Sequence, residues 1–178
     1  MVCYGSSLGA YAALYYGRDE PWIVIASSPR NSTHPHYGAR HWQDQVAFQH
    51  ERFGTAVAAR CHAFVLFDPK DPTDRRYIDG EVLPQFPQAE VLRVPYSGHP
   101  TNQMLGDIGF IAPFIRALIA DLPREQWPSL QRRALRGKSS SYLHVLGLAA
   151  LDPGHLAWAD ARVTRALELK PRSPAALG

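Results

Sequence analysis

Short runs of apolar residues alternate with longer segments of helical spacing along the first 122 residues. Apolar runs lie at 22–26 and 63–67, a third run at 90–94 contains Val91, Leu92 and Val94, and a shorter one occupies residues 1–4. The intervals at 8–17, 41–59 and 108–122 have the spacing of helices. Strands of a parallel sheet are buried on both faces, so they need not alternate apolar and polar residues. The pattern therefore predicts an α/β fold with a parallel sheet of about four strands.

The pattern changes near residue 123. Residues 123–138 are rich in proline, arginine and glutamine, and from Ser139 onward the spacing is purely helical. These shifts predict an α/β domain over 1–122, a linker over 123–138 and a helical hairpin over 139–178.

The composition is that of a folded globular protein, with 46% hydrophobic and 20% charged residues. The apolar run at 109–115 stops at Arg116, well short of the ~18 residues that a membrane span needs. Two cysteines, Cys3 and Cys61, cannot build a disulfide framework and fit a reducing compartment. No basic-then-apolar leader opens the chain. We expect a cytoplasmic protein without a membrane partner.

The net charge of +3 comes from the region after residue 120. Its basic excess lies in Arg132, Arg133, Arg136 and Lys138. A nucleic-acid-binding protein would need a longer basic face with interleaved aromatic residues. This short cluster instead predicts a solvated surface, and no nucleic-acid partner is expected.

One serine lies in a sequence that favours nucleophilic catalysis. Residues 5–9 read G-S-S-L-G, a G-x-S-x-G sequence centred on Ser7, between a predicted strand and an alanine-rich helix. A serine on such a sharp turn is lifted above the sheet, and small neighbours, here Gly5 and Gly9, let the turn close. The following helix directs backbone N–H groups at the reaction site, so the Leu8 amide is the expected oxyanion donor.

A serine nucleophile needs a base that is itself oriented by an acid. His99 follows the third long apolar run on a glycine-containing loop, where its imidazole can reach the carboxyl end of the sheet. Three aspartates, Asp68, Asp71 and Asp74, follow the second run. Asp71 is favoured as the acid, because it lies far enough past the strand to turn back over the sheet. Asp68 and Asp74 stay open as alternatives, each also suited to a turn.

Ser7, Asp71 and His99, in this chain order, resemble the α/β-hydrolase family over residues 1 to about 120. The resemblance implies that Ser7 attacks an acyl carbonyl of a small-molecule substrate, that His99 relays its proton, and that Asp71 holds the imidazole tautomer. It implies a serine esterase that needs no cofactor.

The sequence departs from that family at its beginning. The strands that precede the nucleophile in the family, and the loop that supplies a second oxyanion donor, have no counterpart here. The departures favour a truncated form of the fold, and they keep open an inactive form. The alternative function is then a non-catalytic interaction module that uses the helical hairpin.

The remaining histidines carry no spacing typical of zinc. His34, His36 and His41 surround a loop rich in proline and glycine, but their separations do not match a zinc site. We expect no metal.

Residues 140–173 resemble one tetratricopeptide repeat, a unit of two packed helices. The matching positions are Leu143, Leu146, Gly147, Ala150, Ala159, Val163, Ala166 and Pro171. Residues 152–154 supply the turn between the helices. One repeat cannot bury its own faces, so the hairpin is expected to pack on the α/β part, to pair with a protein partner or a second copy, or to be the remnant of a longer array of repeats.

Overall fold

The computed structural model describes residues 1–48, 59–129, 133–151 and 154–171. Its contacts divide the chain into two units, 1–95 and 96–178. This division lies at Pro95, ahead of the boundaries at residues 122 and 139, which stay predictions. The units are described in turn.

The first unit is built on a parallel sheet of four strands in the order β1-β2-β3-β4. The strands are β1 (Val2–Ser6), β2 (Ile23–Ser27), β3 (His62–Phe67) and β4 (Glu90–Arg93). Each strand pairs in parallel with the next one along the chain. The α/β class and the parallel sheet predicted from the apolar runs are therefore confirmed.

Apolar residues of β2 and β3 form the centre of the core of this unit. Both strands are almost fully buried along their length, as expected for parallel strands covered on both faces. Helix α1 (Leu8–Gly17) buries Ala10, Leu14 and Gly17. A Cβ on Gly17 would lie 2.7 Å from Val24 Cγ2, so the glycine permits close packing of α1 against β2.

The helix predicted over 41–59 is not found as such in the described part. It is described to residue 48, where α2 (Arg40–Gln43) is one short turn, and the rest lies outside the described residues. Within the described part of this segment, the side chains of Trp42 and Val46 are 45% and 47% exposed.

A helical run that the sequence patterns did not predict follows β3. It comprises α3 (Pro72–Tyr77), a π-helical turn (Ile78–Val82) and α4 (Leu83–Gln85). Gly80 and Pro84 make its sequence resemble a loop. Burial of Tyr77, Ile78 and Val82 in the core of the first unit outweighs these local preferences.

The second unit is helical. Its elements are α5 (Asn102–Asp107), α6 (Ile111–Ile119), a 3₁₀ turn (Arg124–Gln126), α7 (Arg133–Arg136), α8 (Ser140–Ala149) and α9 (Leu156–Leu169). The helix predicted over 108–122 is shorter than expected, because Gly109 has a φ of +67° just before α6. Pro113 lies in the first turn of α6, where a missing N–H leaves no helical bond unmade.

Helices α8 and α9 pack closely at Gly147. A Cβ on Gly147 would lie 2.9 Å from Val163 Cγ2 and 3.2 Å from the Ala159 carbonyl oxygen. Glycine at position 147 therefore permits this close approach, while the assignment to a tetratricopeptide repeat stays a proposal. Asp107 at the end of α5 accepts hydrogen bonds from Ser139 Oγ and Lys170 Nζ, both at 2.8 Å. It thus ties α5 to the start of α8 and to the end of α9.

Within the described ranges, no helix has both the length and the apolar character required to cross a membrane.

Candidate active site

Ser7 occupies the turn between β1 and α1 in a conformation that non-glycine residues rarely adopt. Its backbone has φ 54° and ψ −121°. Such a conformation costs about 1–3 kcal/mol and persists only when the surroundings hold it in place. Here the Ser7 N–H donates to the Ser27 carbonyl at 2.9 Å, and the Ser7 carbonyl accepts from Ala10 and Tyr11. A strained serine between a strand and a helix is the arrangement that the G-x-S-x-G sequence predicts.

The two glycines that flank Ser7 have different steric roles. A Cβ on Gly5 would lie 2.1 Å from the Gly9 carbonyl oxygen and 2.7 Å from the Ala10 nitrogen. The turn can therefore close only with glycine at position 5. A Cβ on Gly9 would meet nothing within 4 Å. The expectation that Gly9 must be small for the same reason is therefore wrong in the described structure, because its missing side chain would point into open space.

Leu8 is the first residue of α1, and its side chain is exposed. The first N–H groups of a helix have no acceptor within the helix, and the helix dipole adds partial positive charge there. The Leu8 amide is therefore the first N–H group of α1, directly after Ser7, and its role as an oxyanion donor stays a prediction.

The three aspartates after β3 make different hydrogen bonds. Asp68 is buried and its Oδ1 accepts from the Lys70 N–H at 2.8 Å, forming the turn considered for it above. Asp71 caps α3, where its Oδ1 accepts from the N–H groups of Thr73 and Asp74 at 2.9 and 2.8 Å. Asp71 Oδ2 has no hydrogen-bonding partner within the described ranges. Asp74 is fully buried on α3.

Arg30 connects the loops that follow β1, β2 and β3. Its backbone N–H donates to the Ser7 carbonyl at 3.2 Å. Its Nε donates to Asp74 Oδ1 at 3.0 Å, and its Nη2 contacts the same oxygen and lies 3.5 Å from Asp71 Oδ1. Sequence reasoning did not single out Arg30. The signal was an arginine directly after the Ser-Ser-Pro turn at the end of an apolar run.

Ser7 and Asp71 therefore share the carboxyl edge of one sheet, with Arg30 bonded to both loops. His99 lies in the second unit, after Gly98, which has a φ of +68°. Nearby, Ser97 Oγ and Thr101 Oγ1 are 2.9 Å apart, and Thr101 Oγ1 donates to the Gly98 carbonyl. These bonds order the His99 loop. The approach of His99 to Ser7 stays a prediction.

A cluster of aromatic side chains surrounds His34. Its ring lies 4.9 Å from the Tyr37 ring, 5.2 Å from Phe48 and 5.8 Å from Tyr77, centroid to centroid. Its Nδ1 accepts from the His36 N–H at 3.1 Å, and its Nε2 lies 3.7 Å from Glu81 Oε1. Burial lowers the pKa of His34, against the opposing effect of Glu81.

The hydroxyl groups of two buried tyrosines lie in the same part of the first unit. Burial raises the pKa of Tyr11 to about 12, although a side-chain hydrogen bond with Asn31 acts in the other direction. Burial also raises the pKa of Tyr77, whose hydroxyl has no hydrogen-bonding partner among the described residues. Both phenols are therefore neutral at physiological pH.

Across the described ranges, no group of three or more His, Cys, Asp or Glu side chains is arranged to hold a metal ion.

The second unit contains an apolar cavity of about 430 Å³. It is lined by Tyr96, Leu146, Ala149, Ala150, His155 and Trp158. Its volume falls within the range of about 300–1,000 Å³ that is usual for small-ligand sites.

No family model, curated protein or solved structure matches this chain.

Proposed function

We propose that this protein is a serine hydrolase of the α/β-hydrolase type that cleaves acyl esters. The strained backbone of Ser7, held between β1 and α1, carries the proposal. Strained non-glycine residues cluster at functional sites, and presentation of a nucleophile at the carboxyl edge of a parallel sheet is a function that accounts for the strain at Ser7. Asp71 on the same edge and the N-terminus of α1 support the proposal.

In the proposed reaction, Ser7 Oγ forms a bond to the acyl carbon as its proton passes to the imidazole of His99. Asp71 holds the imidazole in the tautomer that accepts this proton and stabilises the imidazolium. Its exposed fraction of 23% and its unoccupied Oδ2 in the described structure suit that role. The alcohol leaves with the proton, and water then cleaves the acyl-enzyme by the same sequence.

The Leu8 amide supplies an oxyanion donor in the proposed machinery, because it is the first N–H group of α1 and follows Ser7 directly. Loss of one such donor typically costs about 10²–10³ in turnover. We propose formation of a covalent adduct on Ser7 as the first observable.

The test is covalent labelling of the purified protein with a fluorophosphonate probe, followed by intact-mass and peptide analysis. We expect one adduct on Ser7, lost in Ser7→Ala and retained in Ser6→Ala. The Ser6 control is matched because it is the neighbouring hydroxyl in the same peptide but lies on β1. Absence of labelling in folded wild-type protein would end the proposal.

The apolar cavity of the second unit favours a second candidate, a module that binds a protein partner through an apolar side chain inserted beside Trp158. Trp158 is 41% exposed, and Leu148, Leu151 and Leu156 are also exposed large apolar residues. This candidate predicts no serine labelling, together with concentration-dependent self-association or partner binding that Trp158→Ala weakens. Binding unaffected by that substitution and by deletion of residues 140–173 would exclude it.

A further inference from the structure

We propose that Arg30 is a positioning residue that fixes the Asp71 carboxylate relative to Ser7. The inference rests on the proposed hydrolase function and adds a residue to its machinery. It is drawn from bonds within the first unit alone, which join the three loops at the carboxyl ends of β1, β2 and β3.

The backbone around Arg30 ties it to the Ser7 turn. Ser28 has a φ of 47°, and its N–H donates to the Leu66 carbonyl at 2.7 Å, so the chain turns sharply where β2 ends. Pro29, between Ser28 and Arg30, has its own φ fixed by its ring. Arg30 then donates its N–H to the Ser7 carbonyl, the same oxygen that accepts from the first turn of α1. The hydrogen bond to the Ser7 carbonyl thus fixes the position of the Arg30 backbone relative to the strained turn between β1 and α1.

The guanidinium of Arg30 ties this turn to the aspartate loop. It contacts Asp74 through Nε and Nη2, and Nη2 also lies 3.5 Å from Asp71 Oδ1. The Asp74 side chain is 0% exposed, whereas the side chains of Arg30 and Asp71 are 25% and 23% exposed. The pairing with Asp74 therefore anchors the cation, and the contact with Asp71 lies at its more accessible side.

A planar cation with several donors suits both contacts at once. A guanidinium offers several N–H donors in a fixed plane, whereas a lysine ammonium is a single compact charge. Asp71 Oδ1 is already held by two N–H groups of α3, so the added contact with Arg30 restricts the carboxylate from a second direction. A shift of about 1 Å in such a group can lower a rate by as much as 100-fold.

The experiment measures the second-order rate of fluorophosphonate labelling at Ser7 and the urea midpoint of unfolding for five proteins. These are wild type, Arg30→Gln, Arg30→Lys, the double variant Arg30→Gln/Asp74→Asn, and Arg75→Gln. Arg75 is the matched control, because it lies on α3 with a 66% exposed side chain and pairs with Asp79, away from Ser7. The double variant removes the buried carboxylate along with its cation, so that folding is preserved.

We expect labelling to slow by 10- to 100-fold in Arg30→Gln and in the double variant. We expect an intermediate rate in Arg30→Lys and the wild-type rate in Arg75→Gln. The double variant should unfold at a higher urea concentration than Arg30→Gln while labelling equally slowly.

Two results would overturn the positioning role and leave the hydrolase proposal intact. One is wild-type labelling in all four variants. The other is wild-type labelling restored in the double variant, which would mean that Arg30 only neutralises Asp74. Absence of labelling on wild-type Ser7 would instead remove the proposed function, and this inference with it.

Discussion

Each unit contains a glycine at a tight contact, but the two contacts differ in what the missing side chain would meet. Under the Ser7 turn, a Cβ on Gly5 would collide with backbone atoms of Gly9 and Ala10. Between α8 and α9, a Cβ on Gly147 would first meet a methyl group of Val163. Backbone atoms in a bonded turn cannot move aside without breaking hydrogen bonds, whereas a helix pair can repack side chains.

The strand-end loops of the first unit and the helix pair of the second unit also differ in the kind of contact that holds them. The strand-end loops of the first unit are fixed by hydrogen bonds and ion pairs, among them those of Arg30, Asp71 and Asp74. The helix pair of the second unit is fixed by small residues and borders an apolar cavity. Rigid polar loops suit chemistry that needs fixed geometry, while an adaptable apolar surface suits binding. The comparison supports the proposal that the first unit presents the nucleophile.

The largest change in the free energy of unfolding is expected for a substitution at Gly5. Gly5→Ala should lower the free energy of unfolding by about 3 kcal/mol or more, because a Cβ 2.1 Å from the Gly9 oxygen forces two backbone segments apart. Urea unfolding of the purified variant measures it. Gly9→Ala is the matched control, since its Cβ meets nothing within 4 Å. It should be neutral or stabilising by less than about 1 kcal/mol. Equal effects at the two positions would contradict the described turn.

A smaller change in the free energy of unfolding is expected when acidification protonates His34. Because burial lowers its pKa in the folded protein, the unfolded chain takes up the proton more readily. Its contribution to stability is complete above the unfolded value of about 6.5 and is lost as the pH falls through the lower folded value. The loss is limited to about 1.4 kcal/mol per pH unit for one group.

Urea midpoints between pH 5 and 7.5 measure this dependence. His34→Gln should flatten it, and His41→Gln, at an exposed position, should leave it unchanged. Glu81, which faces His34 Nε2 at 3.7 Å, opposes the effect, so Glu81→Gln should steepen it. An unchanged slope in His34→Gln would show that other groups cause the dependence.

The smallest effect is expected at Gly147. Gly147→Ala gains helix propensity of up to about 1 kcal/mol, which offsets part of the cost of the contact with Val163. The net loss in free energy of unfolding should stay under about 1 kcal/mol, and Gly147→Ala/Val163→Ala should relieve the added contact. A loss as large as that in Gly5→Ala would mean that the helix pair is as rigid as the turn.

Much of the first unit could be predicted from its sequence because parallel strands require continuous apolar runs. The runs at 22–26, 63–67 and 90–94 correspond to β2, β3 and β4 within one residue at each end. The Ser7 turn was equally predictable. A G-x-S-x-G sequence after a strand indicates a strained backbone at the serine and explains the glycine at position 5.

The parts that could not be predicted depend on tertiary contacts. The helical run from Pro72 to Gln85 contains a glycine and two prolines, and burial of its apolar face in the core outweighs their preference for a loop. The role of Arg30 depends on three loops meeting at one sheet edge, which no local pattern contains. The roles of the three aspartates likewise follow from where α3 begins.

The central claim is that Ser7 is a nucleophile activated by His99, and the rate of fluorophosphonate labelling in a His99→Gln variant tests it most directly. A general base contributes about 10²–10⁴ to such a step. We therefore predict a loss of labelling rate of at least 100-fold in His99→Gln and none in His155→Gln, an exposed histidine of the same unit. Labelling of Ser7 at the wild-type rate in folded His99→Gln protein would contradict the account.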